Sequence, residues 1–243
     1  MLTKTIITRW NPKVDNRPDS GVPRIKFAQK FSKKYVGNAS RILDIGCGTG
    51  SYTYLIDTYG SFGIDLNLEA LKIAKTYCTK SDFIVASALN LPFRDVTFDL
   101  IFMWGVIEQL PVGTEKQAVI EAYRTLTCDG RFMLSATNDN IISKIMDPAF
   151  FLCRQRHYCI KELIELMSEV GLSVKEYTIR GKWYTLIAIS MFYFHKYFLH
   201  KIEGRLLQFF YNRSEKEFES KKNGISTIFI AMEKEKKEKQ QPL

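Results

Sequence analysis

The hydrophobic and polar positions of this chain alternate between two periodicities. Short apolar runs bounded by glycine or polar residues predict buried strands, and segments with an apolar residue every three or four positions predict helices. The segments with the strand pattern are residues 41–46, 61–65, 82–86, 97–103, 130–136, 172–179 and 225–232. The segments with the helix pattern are residues 24–36, 51–59, 67–77, 115–126 and 160–170.

Strands that alternate with helices build crossover units, so the pattern predicts a doubly wound, mostly parallel seven-stranded sheet with helices on both faces. Two residues support the predicted helix boundaries: Asn67 is a suitable N-cap, and Gly171 is suited to end the helix before it. In such a sheet ligands bind beyond the carboxyl ends of the strands, near the point where the strand order reverses. The residues that directly follow each strand are therefore the candidates for chemistry.

One segment does not follow this alternation. Residues 183–194 contain no charged side chain, and the residues from there to 211 are aromatic and basic. The stretch is too long for an ordinary loop, so we expect one or two helices inserted before the last strand, within residues 183–223. Aromatic and basic residues around an apolar stretch suit a lid over an apolar pocket, a contact with a second subunit or a contact with a lipid surface.

The chain of 243 residues suffices for one full-sized core, which we assign to residues 38–232. A basic helical segment (1–37) precedes this core, and a charged tail (233–243), expected to be disordered, follows it. The charge is uneven, because residues 1–41 carry +8, residues 42–150 carry −5 and the remainder carries +6. Basic flanks suit an anionic substrate or surface, although solvated lysines are an equally ordinary explanation.

The five cysteines include no C-x-x-C pair, so we expect no metal site. They are also too few for a disulfide-rich secreted scaffold. The chain shows neither the pattern of a secretory signal nor an apolar run of the ~18 residues that span a membrane. We therefore expect a reducing, cytoplasmic setting, with peripheral membrane contact as the alternative that the insert leaves open.

A glycine-rich loop directly follows the first predicted strand, with the residues Asp44, Gly46, Cys47, Gly48 and Gly50. Glycines there let the backbone turn sharply and let a ligand approach the main chain. A dinucleotide fingerprint needs the spacing G-x-G-x-x-G, whereas the third glycine here comes one residue early. The acidic residue before the loop also suits a cationic ligand group better than a pyrophosphate, so a nicotinamide-dependent oxidoreductase is not expected.

A second acidic residue, Asp65, ends the next predicted strand. A carboxylate in this place accepts hydrogen bonds from both hydroxyl groups of a ribose. The alternative is a carboxylate that only stabilises a helix N-terminus. A ligand with a ribose, a cationic amino acid part and no pyrophosphate is S-adenosylmethionine, which we therefore expect as the cofactor.

These motifs resemble those of the class I S-adenosylmethionine-dependent methyltransferases, in particular their small-molecule, type 11-like branch. The segment ILDIGCGTG at 42–50 is similar to the first motif of that family, and 88–102 resembles the signature of its third and fourth strands. Segments 126–137 and 158–172 extend the resemblance to the sixth strand. The resemblance implies a Rossmann-like fold and the transfer of a methyl group to a small-molecule acceptor.

The resemblance also implies roles for individual positions. The glycines would shape the loop around the methionine part, with Cys47 as a small apolar filler, while Asp44 would orient the amino group and Asp65 would hold the ribose. The residues expected beside the ribose, the adenine and the methyl-donating end are Leu66, Ser87, Ala88, Met103, Trp104 and Gly105. Many members of the family carry an acid in place of Ser87, whose hydroxyl is a weaker acceptor.

Methyl transfer from a sulfonium requires alignment and the exclusion of water, and a base only where the acceptor loses a proton. The candidate bases are His157, before a predicted helix, and Glu108, after the fourth predicted strand. The structural alternatives are a surface or capping histidine and a carboxylate at a helix start. Relatives often have Glu-His where this chain has Glu108-Gln109, so no role of that histidine is carried over.

Three functions stay open from the sequence. The first is a methyltransferase whose small-molecule acceptor is hydrophobic or linked to a lipid, and the second is a cofactor-binding regulatory subunit without catalysis. The third is an RNA methyltransferase that uses the basic flanks, although the sequence has no recognisable RNA-binding module. We therefore expect a small-molecule partner rather than nucleic acid, and oligomerisation through the insert is left open.

Overall fold

The computed structural model describes residues 22–37, 39–195, 204–220 and 223–235. The strands are β1 (Ile42–Ile45), β2 (Ser61–Asp65), β3 (Asp82–Val85), β4 (Phe98–Trp104), β5 (Leu126–Thr137), β6 (Leu172–Arg180) and β7 (Thr227–Lys234). The α-helices are α1 (Pro23–Val36), α2 (Leu68–Tyr77), α3 (Glu115–Thr125), α4 (Ile141–Met146), α5 (Pro148–Cys153), α6 (Ile160–Glu169), α7 (Trp183–Phe194) and α8 (Arg205–Glu219). Parts of the predicted N-terminal segment, insert and tail lie outside the described residues, namely 1–21, 196–203, 221–222 and 236–243.

The strands form one sheet in the order β3-β2-β1-β4-β5-β7-β6. All neighbouring pairs are parallel except the two made by β7, which runs antiparallel to both β5 and β6. This confirms the predicted doubly wound, mostly parallel sheet. The strand order reverses between β1 and β4, so the crevice in which such sheets bind ligands opens at the carboxyl ends of these two strands.

The two faces of the sheet bury two separate apolar clusters, because successive side chains of a strand point to opposite sides. The larger cluster includes Ile45 and Met103 and packs against α3 and α6. The smaller cluster includes Trp104 and Phe229 and is covered by α1 and α8, with Phe218 of α8 among its buried residues. The basic N-terminal helix is thus part of the core, with its lysines on the outside.

The insert forms the two helices α7 and α8, in agreement with the prediction. The Glu217 carboxylate on α8 accepts hydrogen bonds from the backbone N–H groups of Lys182, Tyr184 and Thr185, at 2.8–3.0 Å. Free N–H groups at the start of a helix need such acceptors, and the negative charge is favourable there. The second helix of the insert therefore holds the first one in place. No helix among the described residues is long and apolar enough to cross a membrane.

The insert leaves the sheet and returns to it at a single point. The backbone N–H of Ile225 donates to the carbonyl of Gly181 at 2.7 Å, and that of Gly224 donates to the carbonyl of Ile179 at 2.8 Å. A Cβ atom on Gly224 would lie 2.4 Å from the carbonyl carbon of Arg180. The backbone at Gly224 therefore lies so close to the backbone at Arg180 that a residue with a Cβ atom would not fit at position 224.

The observed elements differ from the predicted ones in several places, and β5 begins four residues earlier than predicted, at Leu126. Residues 51–59 contain only a 3₁₀ helix, Thr53–Ile56, because Thr53 is held by a side-chain bond to the preceding strand. The short helices α4 and α5 were not predicted, since six residues give too little periodicity; Asn140 and Asp147 cap their N-termini. The last strand extends through Lys234, two residues into the predicted tail, where Glu233 pairs with Arg131 of β5.

Candidate cofactor and acceptor site

The three glycines of the loop after β1 have positive φ angles of 71°, 54° and 82° but different surroundings. A Cβ atom on Gly46 would lie 2.4 Å from a methyl carbon of Val106, and one on Gly50 would lie 3.0 Å from the Cβ of Ala74. A Cβ atom on Gly48 would meet nothing within 4 Å. Gly46 and Gly50 thus let the loop pack against its neighbours, and Gly48 borders open space.

Asp65 stands at the end of β2, partly exposed, and faces this open space. Its Oδ2 accepts from the backbone N–H of Gly48 and its Oδ1 from that of Asn67, both at 2.9 Å. Burial raises the pKa of the carboxyl group, while the N–H groups of Asn67 and Gly48 oppose that shift. A carboxylate offers about four lone-pair sites, so two remain for hydroxyl groups of a ligand.

The side chains of Asp44, at the end of β1, and of Cys47, within the loop, are buried. The Asp44 carboxyl is buried and accepts a 2.7 Å hydrogen bond from the Thr53 hydroxyl. Burial raises its pKa to about 7, although Thr53 opposes that shift and the charge of Asp65 adds to it. Burial also raises the pKa of the Cys47 thiol well above its usual range. A buried, protonated thiol is a packing residue, as the sequence predicts.

The residues expected beside the ribose and adenine lie along the ends of β2 and β3. Leu66 is exposed, and Ser87 accepts a 3.2 Å hydrogen bond from the backbone N–H of Leu89. Ala88 packs against the larger apolar cluster. The Ser87 hydroxyl therefore stabilises the turn that follows β3. Its role as an acceptor for the amino group of adenine remains a prediction.

Two residues expected to line the site, Met103 and Trp104, end β4 with their side chains on opposite faces of the sheet. The Met103 side chain is fully buried in the larger apolar cluster, so it does not line the site as predicted; strand alternation sends it to the opposite face. Trp104 lies on the site's face, and its ring centroid is 5.9 Å from that of Tyr52. Gly105 follows with φ of 67°, a conformation that turns the chain away from the sheet.

A family model described as a methyltransferase domain matches residues 43–134, which contain the loop, both acidic residues and the end of β4. Residues 43–134 therefore form a methyltransferase domain of the class I, S-adenosylmethionine-dependent type. A methyltransferase structure from Methanosarcina mazei shares the fold, with a TM-score of 0.60 and 20% identity over 85% of this chain and 98% of that one. The cofactor of this family is S-adenosylmethionine.

Two curated relatives of this chain are named for different substrates. A demethylmenaquinone methyltransferase of Lactiplantibacillus plantarum is 27% identical over 148 residues, which are 56% of this chain and 61% of the relative. A probable tRNA methyltransferase 9B of Bos taurus is 35% identical over 96 residues, which are 39% of this chain and 21% of the relative. The chain spans between 21% and 66% of the length of the first curated relatives it matches.

The residues present fit the cofactor of the class I methyltransferases. Gly48 leaves an open cradle beside a partly exposed carboxylate with unused lone pairs, as a ribose requires. The side chain of Asp44 is enclosed and holds the loop through Thr53, so the orientation of a cofactor amino group by Asp44 remains a prediction. Gly48 and Asp65 would hold the nucleoside, and the Gly46–Gly50 loop would hold the amino acid part.

Glu108 lies just beyond Gly105, on the 3₁₀ helix Ile107–Gln109, and is 2% exposed. Its Oε1 accepts a hydrogen bond of 3.3 Å from the Thr137 hydroxyl and one of 3.5 Å from the Gln155 amide. Its Oε2 has no partner among the described residues. Burial raises the pKa of the carboxyl group to about 7, against the effect of the Arg24 cation. A carboxyl group that titrates near neutral pH can act as a base.

His157 does not have the surroundings of a base that a substrate reaches. Its side chain has no exposed surface, and its Nε2 lies 3.0 Å from the Asp147 carboxylate. Its ring packs against Phe150, at 5.2 Å between centroids. The imidazole thus fastens the segment after α5 to Asp147, the residue that caps α5, and this buried position is neither the base nor the surface or capping histidine named from the sequence.

A cavity of about 160 Å³ lies next to the residues that bond Glu108. Its lining includes Thr137 and Gln155, the two residues that bond Glu108. The aliphatic and phenylalanine residues that line it are Val22, Pro23, Ile25, Leu186, Ala188, Ile189, Phe192 and Phe218. The insert thus forms one wall of an apolar cavity, and α1 forms another.

Sequence reasoning missed several residues of this region. Arg24 on α1, Thr137 at the end of β5 and Gln155 after α5 all line the cavity. Thr137 could have been found, because it ends a predicted parallel strand. Arg24 and Gln155 carry no signal in the sequence, since only the packing of α1 and of the segment after α5 brings them to the site.

Proposed function

We propose that this chain transfers the methyl group of S-adenosylmethionine to an apolar small-molecule acceptor. The observation that carries the proposal is the cavity walled by α1 and the insert, which adjoins Glu108 at the carboxyl ends of β4 and β5. Ligand pockets are mostly apolar, with a few polar groups that set orientation, and this cavity has that composition.

The bound cofactor would supply an activated methyl group on a positively charged sulfur. The loop at Gly46–Gly50 and Asp65 would hold it, and Trp104 and Tyr52 would pack near its reactive end. The insert would enclose the acceptor and exclude water, since in-line displacement depends on alignment and a dry site. Glu108 would take a proton from an acceptor that must lose one.

The relatives support a small molecule more than RNA. The relative named for demethylmenaquinone, a lipid-soluble compound, is matched over 61% of its length, whereas the relative named for tRNA is matched over 21%. The basic residues of α1 favour the RNA alternative, and they are also consistent with an anionic surface. The cytoplasmic setting remains a prediction.

Radiolabelled S-adenosylmethionine, incubated with the protein and a cell extract, tests the proposal. We expect label in the fraction that an organic solvent extracts. Label in RNA would favour the RNA methyltransferase instead. Binding of S-adenosylhomocysteine without label in any fraction would favour a regulatory subunit.

Two variants of α7 connect the activity to the cavity. Ala188→Leu fills part of the cavity, and Ile189→Ala enlarges it. We expect the first to favour smaller acceptors and the second to favour larger ones, with equal affinity for S-adenosylhomocysteine. Leu206→Ala, at an exposed position of α8, is the control. Unchanged acceptor preference in both cavity variants would contradict the proposed acceptor site.

A further inference from the structure

Polar atoms without a hydrogen-bond partner gather at the end of β4. Among the described residues, the buried side-chain atoms of this kind are Arg24 Nε, Tyr52 Oη, Glu108 Oε2, His157 Nδ1 and Arg180 Nε. The first three belong to side chains that interact with one another: Arg24 attracts Glu108 through its charge and also interacts with Tyr52 through a side-chain hydrogen bond. Proteins pair nearly all buried polar groups, so Arg24 Nε and Glu108 Oε2, which lie at the same place and have no hydrogen-bond partner in the described part of the chain, indicate a ligand that completes them.

Gly105 marks the point where these side chains meet. An atom placed as a Cβ on Gly105 would lie 3.6 Å from Oε1 of Glu108 and 3.8 Å from Nη1 of Arg24. Tyr52 packs on Trp104, the residue before Gly105. Helix α1, the cofactor loop and the 3₁₀ helix after β4 thus bring one polar side chain each to the end of the strand.

The same point is one end of the apolar cavity. Arg24 lines the cavity together with Tyr193 and Tyr211, and Tyr211 also lies within the electrostatic influence of Arg24. Half of the other lining residues are aliphatic or phenylalanine, and the other half are Ser, Thr, Gln and Asp147, whose carboxylate is bonded to His157. An acceptor in this cavity therefore meets the Arg24 cation at the end next to Glu108, and a wall of apolar and small polar side chains elsewhere.

The charges at this end select a chemical class. Tyr52 raises the pKa of the Arg24 guanidinium, against the effect of burial and with a smaller contribution from Glu108, so Arg24 stays a cation. Glu108 also faces His157 and Tyr158, and burial brings its pKa to about 7. A permanent cation repels a protonated amine and stabilises an oxygen that becomes negative as it loses a proton.

We propose that the acceptor carries an acidic hydroxyl group, a phenol or an enol, and that Arg24 and Tyr52 bind its oxygen beside Glu108. This inference rests on the proposed function. The hydroxyl proton passes to Oε2 of Glu108, and an electron pair of the oxygen forms the new bond to the methyl carbon. The bond between that carbon and sulfur breaks, and its electrons stay on the sulfur, so no oxidant or reductant is needed.

The volume of the cavity is sufficient for a single ring. An apolar cavity of roughly 150 Å³ holds a benzene molecule, and the cavity here is about 160 Å³. A small phenol that absorbs visible light as its anion, 4-nitrophenol, is therefore a suitable probe. Its methyl ether, 4-nitroanisole, has a similar shape and no acidic proton.

The test titrates 4-nitrophenol with the full chain in the presence of S-adenosylhomocysteine and records the phenolate absorbance. We expect the pKa of the bound phenol to lie below that of the free phenol. Arg24→Met should remove this shift and weaken binding of the phenolate by roughly tenfold or more, and Arg24→Lys should keep part of it. Lys30→Met, which removes an exposed charge from the same helix, should change nothing.

Binding of the ether distinguishes a loss of recognition of the phenol oxygen from a general loss of structure. Arg24→Met should bind 4-nitroanisole as the wild type does; equal losses for the phenol and the ether would show that Arg24 only supports the structure and would overturn the inference. Tyr52→Phe provides a second variant, with a smaller expected shift of the phenol pKa. No shift in the wild-type protein would also overturn the inference.

A second experiment distinguishes failure of the phenol inference from failure of the proposed methyltransferase function. A panel of labelled-donor assays with apolar phenols, amines and carboxylic acids compares acceptor classes directly. Transfer to amines or acids alone would overturn the phenol inference and leave the methyltransferase proposal intact. Failure of S-adenosylhomocysteine to bind would instead remove the proposed function itself.

Discussion

The two sides of the site are built in different ways. On the cofactor side, Gly48 and Asp65 are joined by a bond from a backbone N–H to a carboxylate, and both lie within two consecutive βα units. On the acceptor side, Arg24, Glu108 and Gln155 come from distant parts of the chain and are held by side-chain packing. On the proposed placement, the main chain and one carboxylate would hold a cofactor common to a whole family, and replaceable side chains would hold the acceptor.

The largest expected effect concerns Gly48. Gly48→Val should abolish binding of S-adenosylhomocysteine, because its side chain would enter the open space beside Asp65, while strain at positive φ costs about 1–3 kcal/mol of stability. Gly113→Val is the matched control, since Gly113 has φ of 84° and also has nothing within 4 Å of a Cβ. Calorimetry and thermal melting measure the two effects. Binding by Gly48→Val would contradict the placement of the cofactor.

The second effect concerns the buried carboxyl group on the acceptor side. The pKa of Glu108 is about 7 in the folded protein, above its ordinary value of 4.5, so the folded state holds this proton more firmly than the unfolded state. Stability should therefore fall as the pH rises from 4.5 to 7 and level off above. In Glu108→Gln the side chain does not titrate, so this pH-dependent contribution to stability is absent.

Relative to the wild type, Glu108→Gln should gain on the order of 3 kcal/mol of unfolding free energy between pH 4.5 and pH 7.5. Urea denaturation at several pH values measures the gain. Glu169→Gln, which changes a carboxylate on the surface, is the control. Parallel pH profiles of wild type and Glu108→Gln would show that the buried carboxyl group does not titrate as described.

The third effect concerns Asp65. Asp65→Ala should weaken binding of S-adenosylhomocysteine by about 1.5–3 kcal/mol, the range of hydrogen bonds to a charged group. Asp57→Ala is the control, because the Asp57 carboxylate also accepts from two backbone N–H groups, those of Lys80 and Ser81. It should lower stability and leave the affinity unchanged. Equal affinities of Asp65→Ala and wild type in calorimetry would remove the ribose assignment.

The smallest effect concerns the outer face of the insert, where contact with a lipid surface remains a prediction. Trp183 and Phe209 are about half exposed, and the Arg213 guanidinium lies over the Phe209 ring. The double variant Trp183→Ala, Phe209→Ala should reduce co-sedimentation with anionic liposomes by roughly three- to tenfold. Tyr59→Ala, at a more exposed position elsewhere, is the control. A wild-type protein that ignores liposomes would end the lipid prediction.

The sequence predicts the cofactor side better than the acceptor side for a physical reason. Asp44, Gly48 and Asp65 belong to short segments whose spacing reflects local geometry, and such spacing is visible in one sequence. Met103 was misplaced because alternation along a strand does not show which face carries the ligand. Arg24 could not be predicted at all, since its place depends on how α1 packs against the sheet and α8.

The backbone bonds that join the two ends of the insert, at Gly181 and Gly224, have a consequence for how such a protein diversifies. Because the two ends of the insert are bonded to each other at the rim of the sheet, the pairing of the strands does not depend on the length of the chain between them, provided that a side chain in the place of Phe218 still covers the smaller apolar cluster. The entropy of closing such a loop changes little with its length. Selection can therefore exchange this segment as a unit and give the same cofactor machinery a new range of substrates.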